Sequence, residues 1–125
     1  MTRINHSQIP QKLLSGMMHT ENYLNNLGFD IKLLELMRYR VSLINQCAYC
    51  VDMHFKEAVA AGETEQRMVL LSVWRETSYY NDKEQTLLNW AELLTELPGK
   101  SPELQPAFES LEQYFSTEEI ANLTL

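Results

Sequence analysis

Residues 30 to 54 read DIKLLELMRYRVSLINQCAYCVDMH, and the reading of this stretch decides the fold. Asp30 suits a helix N-cap, because its carboxylate can accept from the free N–H groups of a first turn. From Ile31 to Ile44, apolar residues recur at Leu33, Leu34, Met37, Val41 and Ile44, the three-and-four spacing of one helix face. Asn45 and Gln46 are turn residue types. A new helix then opens near Cys47 and ends at Gly62. Outside this stretch, no run of alternating β-branched residues bounded by turns competes with the helical reading.

The same period extends in both directions. Upstream, a helix is expected from about Ile9 to Leu27, with Gly28 as its stop and Met17 and Met18 as core filler. Downstream, Thr64 can cap a fourth helix reaching about Arg75. Asn81 or Asp82 caps a fifth, which Leu97, Pro98 and Gly99 end. Ser101 and Pro102 open a sixth, to about Phe115, and Ser116 with Glu119 forms a capping box for a seventh. The expectation is all-α, a helical bundle of six to seven helices, as a single domain over residues 1–125. The last helix reaches Leu125 in apolar sequence with no stop signal, so a natural chain that continues is expected.

Composition narrows the function classes. The chain has 125 residues, 45 % of them apolar, which argues against disorder. No apolar run is long enough for a membrane helix, and no signal-like segment follows Met1, so a cytoplasmic location is expected. Net charge is −7, unevenly spread. Up to Gly62 six Lys and Arg face five Asp and Glu; beyond it four face twelve. An acidic chain without a basic stripe is a poor partner for nucleic acid or an anionic membrane. Both cysteines lie in the non-acidic part, with Arg38, Arg40 and Lys56 as the nearest cations in sequence.

Two cysteines cannot staple a secreted mini-protein, so Cys47 and Cys50 need another explanation. At about 100° per residue, Cys47, Cys50 and His54 fall within roughly 60° on one helix face. A helix N-terminus favours thiolate over thiol, and His54 can hold or pass its proton. Cys-x-x-Cys spacing lets one sulfur be oxidised and the other close a disulfide. Glu35 is the candidate final acceptor. On one straight helix it would lie about 18 Å from Cys47, so a relay requires the chain to turn at Asn45 and Gln46.

Glu35, eleven residues, Cys47-Ala48-Tyr49-Cys50, three residues and His54 together resemble the core motif of the alkylhydroperoxidase AhpD family, within the carboxymuconolactone decarboxylase-like superfamily. Arg40-Val41-Ser42, Ala61-Gly62-Glu63-Thr64, Trp74-Arg75-Glu76, Glu84 and Trp90-Ala91-Glu92 match as flanks, so the likeness covers roughly residues 30–97. The resemblance implies an AhpD-like helical domain and a thiol-dependent hydroperoxide reductase with no bound cofactor. By position, Cys50 resembles the peroxidatic cysteine, Cys47 the resolving one, Glu35 the general base and His54 the relay. Tyr49 stands where some members have a second histidine. An external dithiol donor, such as a lipoyl-type reductant protein, and a homo-oligomer, trimeric or hexameric, are also implied.

Rival readings use the same residues. Cys47, Cys50 and His54, with His19 or Glu35, have nearly the ligand types of a zinc site, but there is no second cysteine pair. A c-type haem needs His directly after the second cysteine, where Val51 stands. The pair could instead serve a disulfide reductase or redox sensor. Lactone decarboxylation does not need two thiols, and a non-enzymatic helical module is the plainest alternative. His6 and His19 read as surface or partly buried residues and not as catalytic ones. Trp74, Tyr79, Tyr80 and Trp90 read as core or subunit contacts, and Arg38 as either a support for Glu35 or a solvated side chain.

Overall fold

The computed structural model describes residues 6–97 and 102–125. After a short 3₁₀ turn at His6–Gln8 come α1 (Gln11–Asn25), α2 (Ile31–Ile44), α3 (Ala48–Ala60) and α4 (Glu65–Leu70). A 3₁₀ segment (Leu71–Glu76) leads to α5 (Asp82–Glu96), α6 (Leu104–Leu111) and α7 (Thr117–Thr124). The described residues contain no strand, and no helix among them is long and apolar enough to cross a membrane.

Local chemistry sets the boundaries. Asp30 accepts from the Lys32 N–H, and Thr64 from the Arg67 N–H. Asn81 with Glu84, and Ser116 with Glu119, form full capping boxes. Gly28 (φ 77°) and Gly62 (φ 93°) take the left-handed backbone that glycine adopts without a Cβ clash. The expected fourth helix is split instead. Val73 leaves helical geometry (φ −129°, ψ 31°), and the segment tightens to 3₁₀ from Leu71. The sixth helix is shorter than expected and starts at Leu104. Its expected cap, Ser101, lies outside the described residues, as do Pro98 and Gly99.

α2 is the central element because it buries two faces. Leu33 and Leu34 join Leu87 and Trp90 of α5 and Leu111 and Ile120 beyond it. Leu36 and Tyr39 join a second cluster with Ala58 of α3, Met68 of α4 and Leu71. Leu36 is 1 % exposed, a burial that stabilises by roughly 2 kcal/mol. The apolar stripe is therefore only one of the buried faces of α2: α3 covers the flank that carries Glu35.

The second cluster is edged by ion pairs. Arg67 pairs with Glu63 at 2.9 Å and Glu84 at 2.6 Å. Tyr80 donates its hydroxyl proton to the Arg67 carbonyl, and burial pushes the phenol up to about 12. Glu92 of α5 is 6 % exposed and gathers Arg40 of α2, the Trp74 indole N–H and Arg75. It ties three elements through one carboxylate. Trp74, Tyr80 and Trp90 are core residues, whereas Tyr79 is exposed.

α1 departs most from expectation. None of its residues is buried; Met17 is 68 % exposed and Met18 55 %, so neither fills the core of this chain. Periodicity marks an apolar face but does not say that the same chain covers it.

Candidate functional site

The turn between α2 and α3 builds the site. The Asn45 N–H donates to the Val41 carbonyl, closing the last helical turn. Gln46 then takes φ 54°, a left-handed conformation that ends the helix and redirects the chain. The Cys47 N–H reaches back to the Ser42 carbonyl at 3.2 Å. Cys47 is thus the N-cap of α3 and not its first helical residue. Its Sγ accepts from the Cys50 N–H at 3.4 Å, and the two cysteines form a disulfide across 5.3 Å of Cα separation. One sulfur caps the helix and the other lies in its first turn, where free N–H groups concentrate partial positive charge.

α3 then runs back along α2, and the condition placed on Glu35 is met. Glu35 is 1 % exposed. Its Oε2 lies 2.7 Å from His54 Nδ1, and its Oε1 accepts from Arg38 Nη1 at 3.0 Å. A buried carboxylate needs such partners, because an unpaired charge in low dielectric is costly. His54 Nδ1 is also 3.6 Å from Glu57 Oε2. With Nδ1 donating to a carboxylate, the imidazole lone pair resides on Nε2.

Cys47, Cys50, His54, Arg38 and Ser42 line one cavity of about 460 Å³. Its other walls are mostly apolar: Leu24 of α1, Phe29, Met37 and Val41 of α2, Leu94 of α5, and Leu123 and Leu125 at the chain's end. Of the three cations near the cysteines in sequence, Arg38 alone lines this cavity. Arg40 turns to Glu92, and Lys56 pairs with Asp52 at 2.5 Å on an exposed face. Arg38 therefore supports Glu35 and is not a freely solvated side chain; it is 19 % exposed.

In the disulfide form the zinc-type ligand set does not assemble. The sulfurs are bonded to each other, and His19 is exposed on α1, away from the cavity lining. The His6 side chain lies outside the described residues. Among those described, Glu35, His54 and Glu57 place their ligand atoms within 4.8 Å of one another. Both Glu35 oxygens are already engaged there, one by a guanidinium that opposes a second cation.

Comparison with known proteins identifies the family. Residues 11–93 match the model of the carboxymuconolactone decarboxylase family. The chain belongs to that family. A curated relative, the uncharacterized protein YdfG of Bacillus subtilis strain 168, is 31 % identical over 98 % of this chain and 83 % of its own length. A crystal structure from Agrobacterium tumefaciens superposes with a TM-score of 0.89 at 39 % identity, covering 99 % of this chain and 84 % of that one. That protein is described as of unknown function and as a candidate AhpD antioxidant defence protein. The all-α AhpD-like fold of this family member is thereby shown.

Sequence reasoning missed three contributors. Glu57 carries no motif signal beyond its place one turn after His54. Glu21 and Asn25 of α1 reach Arg38 Nη2 at 3.4 Å and 3.0 Å, contacts across more than a dozen residues that no local pattern announces.

Proposed function

We propose that this family member is a thiol-dependent hydroperoxide reductase. The observation that carries the reading is the 2.7 Å contact of buried Glu35 with His54, whose imidazole lines the cavity that Cys50 and Cys47 also line. In the reduced protein, His54 Nε2 takes the Cys50 thiol proton while Glu35 holds Nδ1 and balances the imidazolium. The Cys50 thiolate attacks the peroxide, the O–O bond breaks, and Cys50 becomes a sulfenic acid. The leaving alkoxide takes the proton from His54 and departs as alcohol, or as water from hydrogen peroxide. Cys47 gives its thiol proton to the neutral His54 and attacks the Cys50 sulfur as a thiolate; the S–O bond breaks, and the leaving hydroxide takes that proton back and departs as water. An external dithiol, of lipoyl or similar type, reduces the disulfide and is itself oxidised. No bound cofactor is required by these steps, and a lactone decarboxylation would have no use for two thiols.

A disulfide reductase or redox sensor would use the same groups. The half-buried cysteines flank Tyr49, whose side chain is 77 % exposed, so a dithiol partner has an open approach. A thiol count before and after one equivalent of organic peroxide tests the main reading. Loss of two thiols with no intermolecular crosslink is expected; full peroxide turnover by Cys50→Ser protein would overturn it. Faster turnover of a small disulfide than of any peroxide would favour the second role.

We also propose a homo-oligomer. α1 leaves Leu13, Met17 and Met18 exposed, apolar surface that a second copy would remove from water.

A further inference from the structure

We propose that Arg38 is a positioning residue that couples the orientation of Glu35 to the docking of α1 over the cavity. The inference rests on the relay reading above and adds a component to it. Arg38 is a fork with two occupied prongs. Nη1 donates to Glu35 Oε1 at 3.0 Å, leaving Oε2 for His54. Nη2 donates to Asn25 Oδ1 at 3.0 Å and faces Glu21 Oε1 at 3.4 Å, both on α1. The planar guanidinium fixes the angle between these two directions, which an ammonium cannot do.

The other charged groups around the relay do not substitute for it. From α2 come Glu35 and Arg38; from α3, His54 and Glu57; from α1, Glu21. Arg38 is the one permanent cation among them, set against three carboxylates. α1 itself has no buried residue, so apolar packing alone holds it weakly. Glu21 and Leu24 nevertheless form part of the cavity wall. When α1 leaves, Arg38 loses its anchors on that side and can swing away from Glu35. Glu35 Oε2 is then no longer held on His54 Nδ1, and the thiol loses its proton acceptor.

The test measures the alkylation rate of Cys50 by iodoacetamide against pH. It uses the full chain reduced, in a Cys47→Ser background so that Cys50 is the single thiol. Glu35→Gln is the reference for a broken relay and should move the half-maximal pH upward. Arg38→Met is expected to move it the same way, by about one pH unit. Arg38→Lys keeps a charge near Glu35 and should recover part of that shift. The pair Glu21→Ala with Asn25→Ala, which leaves Glu35 and Arg38 intact, should give a smaller shift of the same sign. A merely structural arginine would lower the melting temperature without moving the half-maximal pH. If Glu35→Gln shifts the profile and Arg38→Met does not, the inference is overturned while the relay stands. An unshifted double variant overturns the coupling to α1. An unshifted Glu35→Gln overturns the relay, and this inference with it.

Discussion

Glu35 Oε2 and His54 Nδ1 meet at 2.7 Å, from helices joined by a turn at Asn45 and Gln46. The carboxylate is closed to solvent and the imidazole lines the cavity that both cysteines line, the arrangement on which the proposed relay depends. Glu35→Gln keeps the shape and removes the charge. Peroxide turnover is expected to fall about 10²-fold or more, the scale of losing general-base assistance. His54→Phe should fall at least as far. Steady-state kinetics with an organic hydroperoxide, beside a circular dichroism check of the fold, decides this; wild-type rates in both variants would refute it.

The two cysteines should separate by what a single turnover leaves behind. Cys47→Ser should consume one equivalent of peroxide and stop at a sulfenic acid, which a sulfenic-acid-reactive dione traps on Cys50. Cys50→Ser should consume none on that timescale. Mass spectrometry of the trapped adduct assigns the sulfur, and an adduct on Cys47 in the second variant would reverse the proposed roles.

Glu92 is a stability centre with a pH signature. Burial pushes its carboxyl up, but donation from Trp74, Arg75 and Arg40 outweighs that and leaves it below its ordinary value of 4.5. A lowered folded value means the contribution is complete above the ordinary carboxylate range and is lost as pH falls through the lowered value. Glu92→Leu strands the mostly buried cation of Arg40 and the Trp74 indole N–H, and should cost about 3 kcal/mol in urea denaturation at pH 7. The difference from wild type should shrink in acid; a gap independent of pH would show that packing, not charge, is what Glu92 supplies.

Gln46 sits at φ 54° and carries a side chain there at some cost. Gln46→Gly should stabilise by up to about 1 kcal/mol, and Gln46→Val should destabilise by about 1–2 kcal/mol. The valine variant should also lose peroxide turnover, because this turn sets Cys47 as the cap of α3. Urea melts of both variants, read with the rate, test the link between backbone and site.

Met17→Glu with Met18→Glu should disperse the proposed oligomer. The substitutions fall on an exposed face, so each subunit should keep its helical content. Sedimentation equilibrium is expected to show a lower mass than wild type; an unchanged assembly would place the subunit contact elsewhere.

Much of the fold is legible locally because its causes act over three or four residues. The caps at Asp30, Thr64, Asn81 and Ser116 are hydrogen bonds within one turn, and each stands where the sequence places it. The grouping of Cys50 and His54 on one wall follows from their being one turn apart on a helix. The kink at Val73 was not legible, since no Pro or Gly marks it.

The sequence by itself determined the helical class, most of the helix starts and the spacing that puts two sulfurs and an imidazole together. Only the tertiary structure decided that Glu35 is buried and touches His54, that Arg38 turns inward while Arg40 turns to Glu92, and that Met17 and Met18 stay exposed. The physical reason is range. A cap or a helix face is set by hydrogen bonds and periodicity inside one element, whereas burial and charge pairing depend on which other element lies alongside. Here that choice passes through Gln46, the left-handed residue of the turn between the two helices, whose backbone angle turns α3 back onto α2.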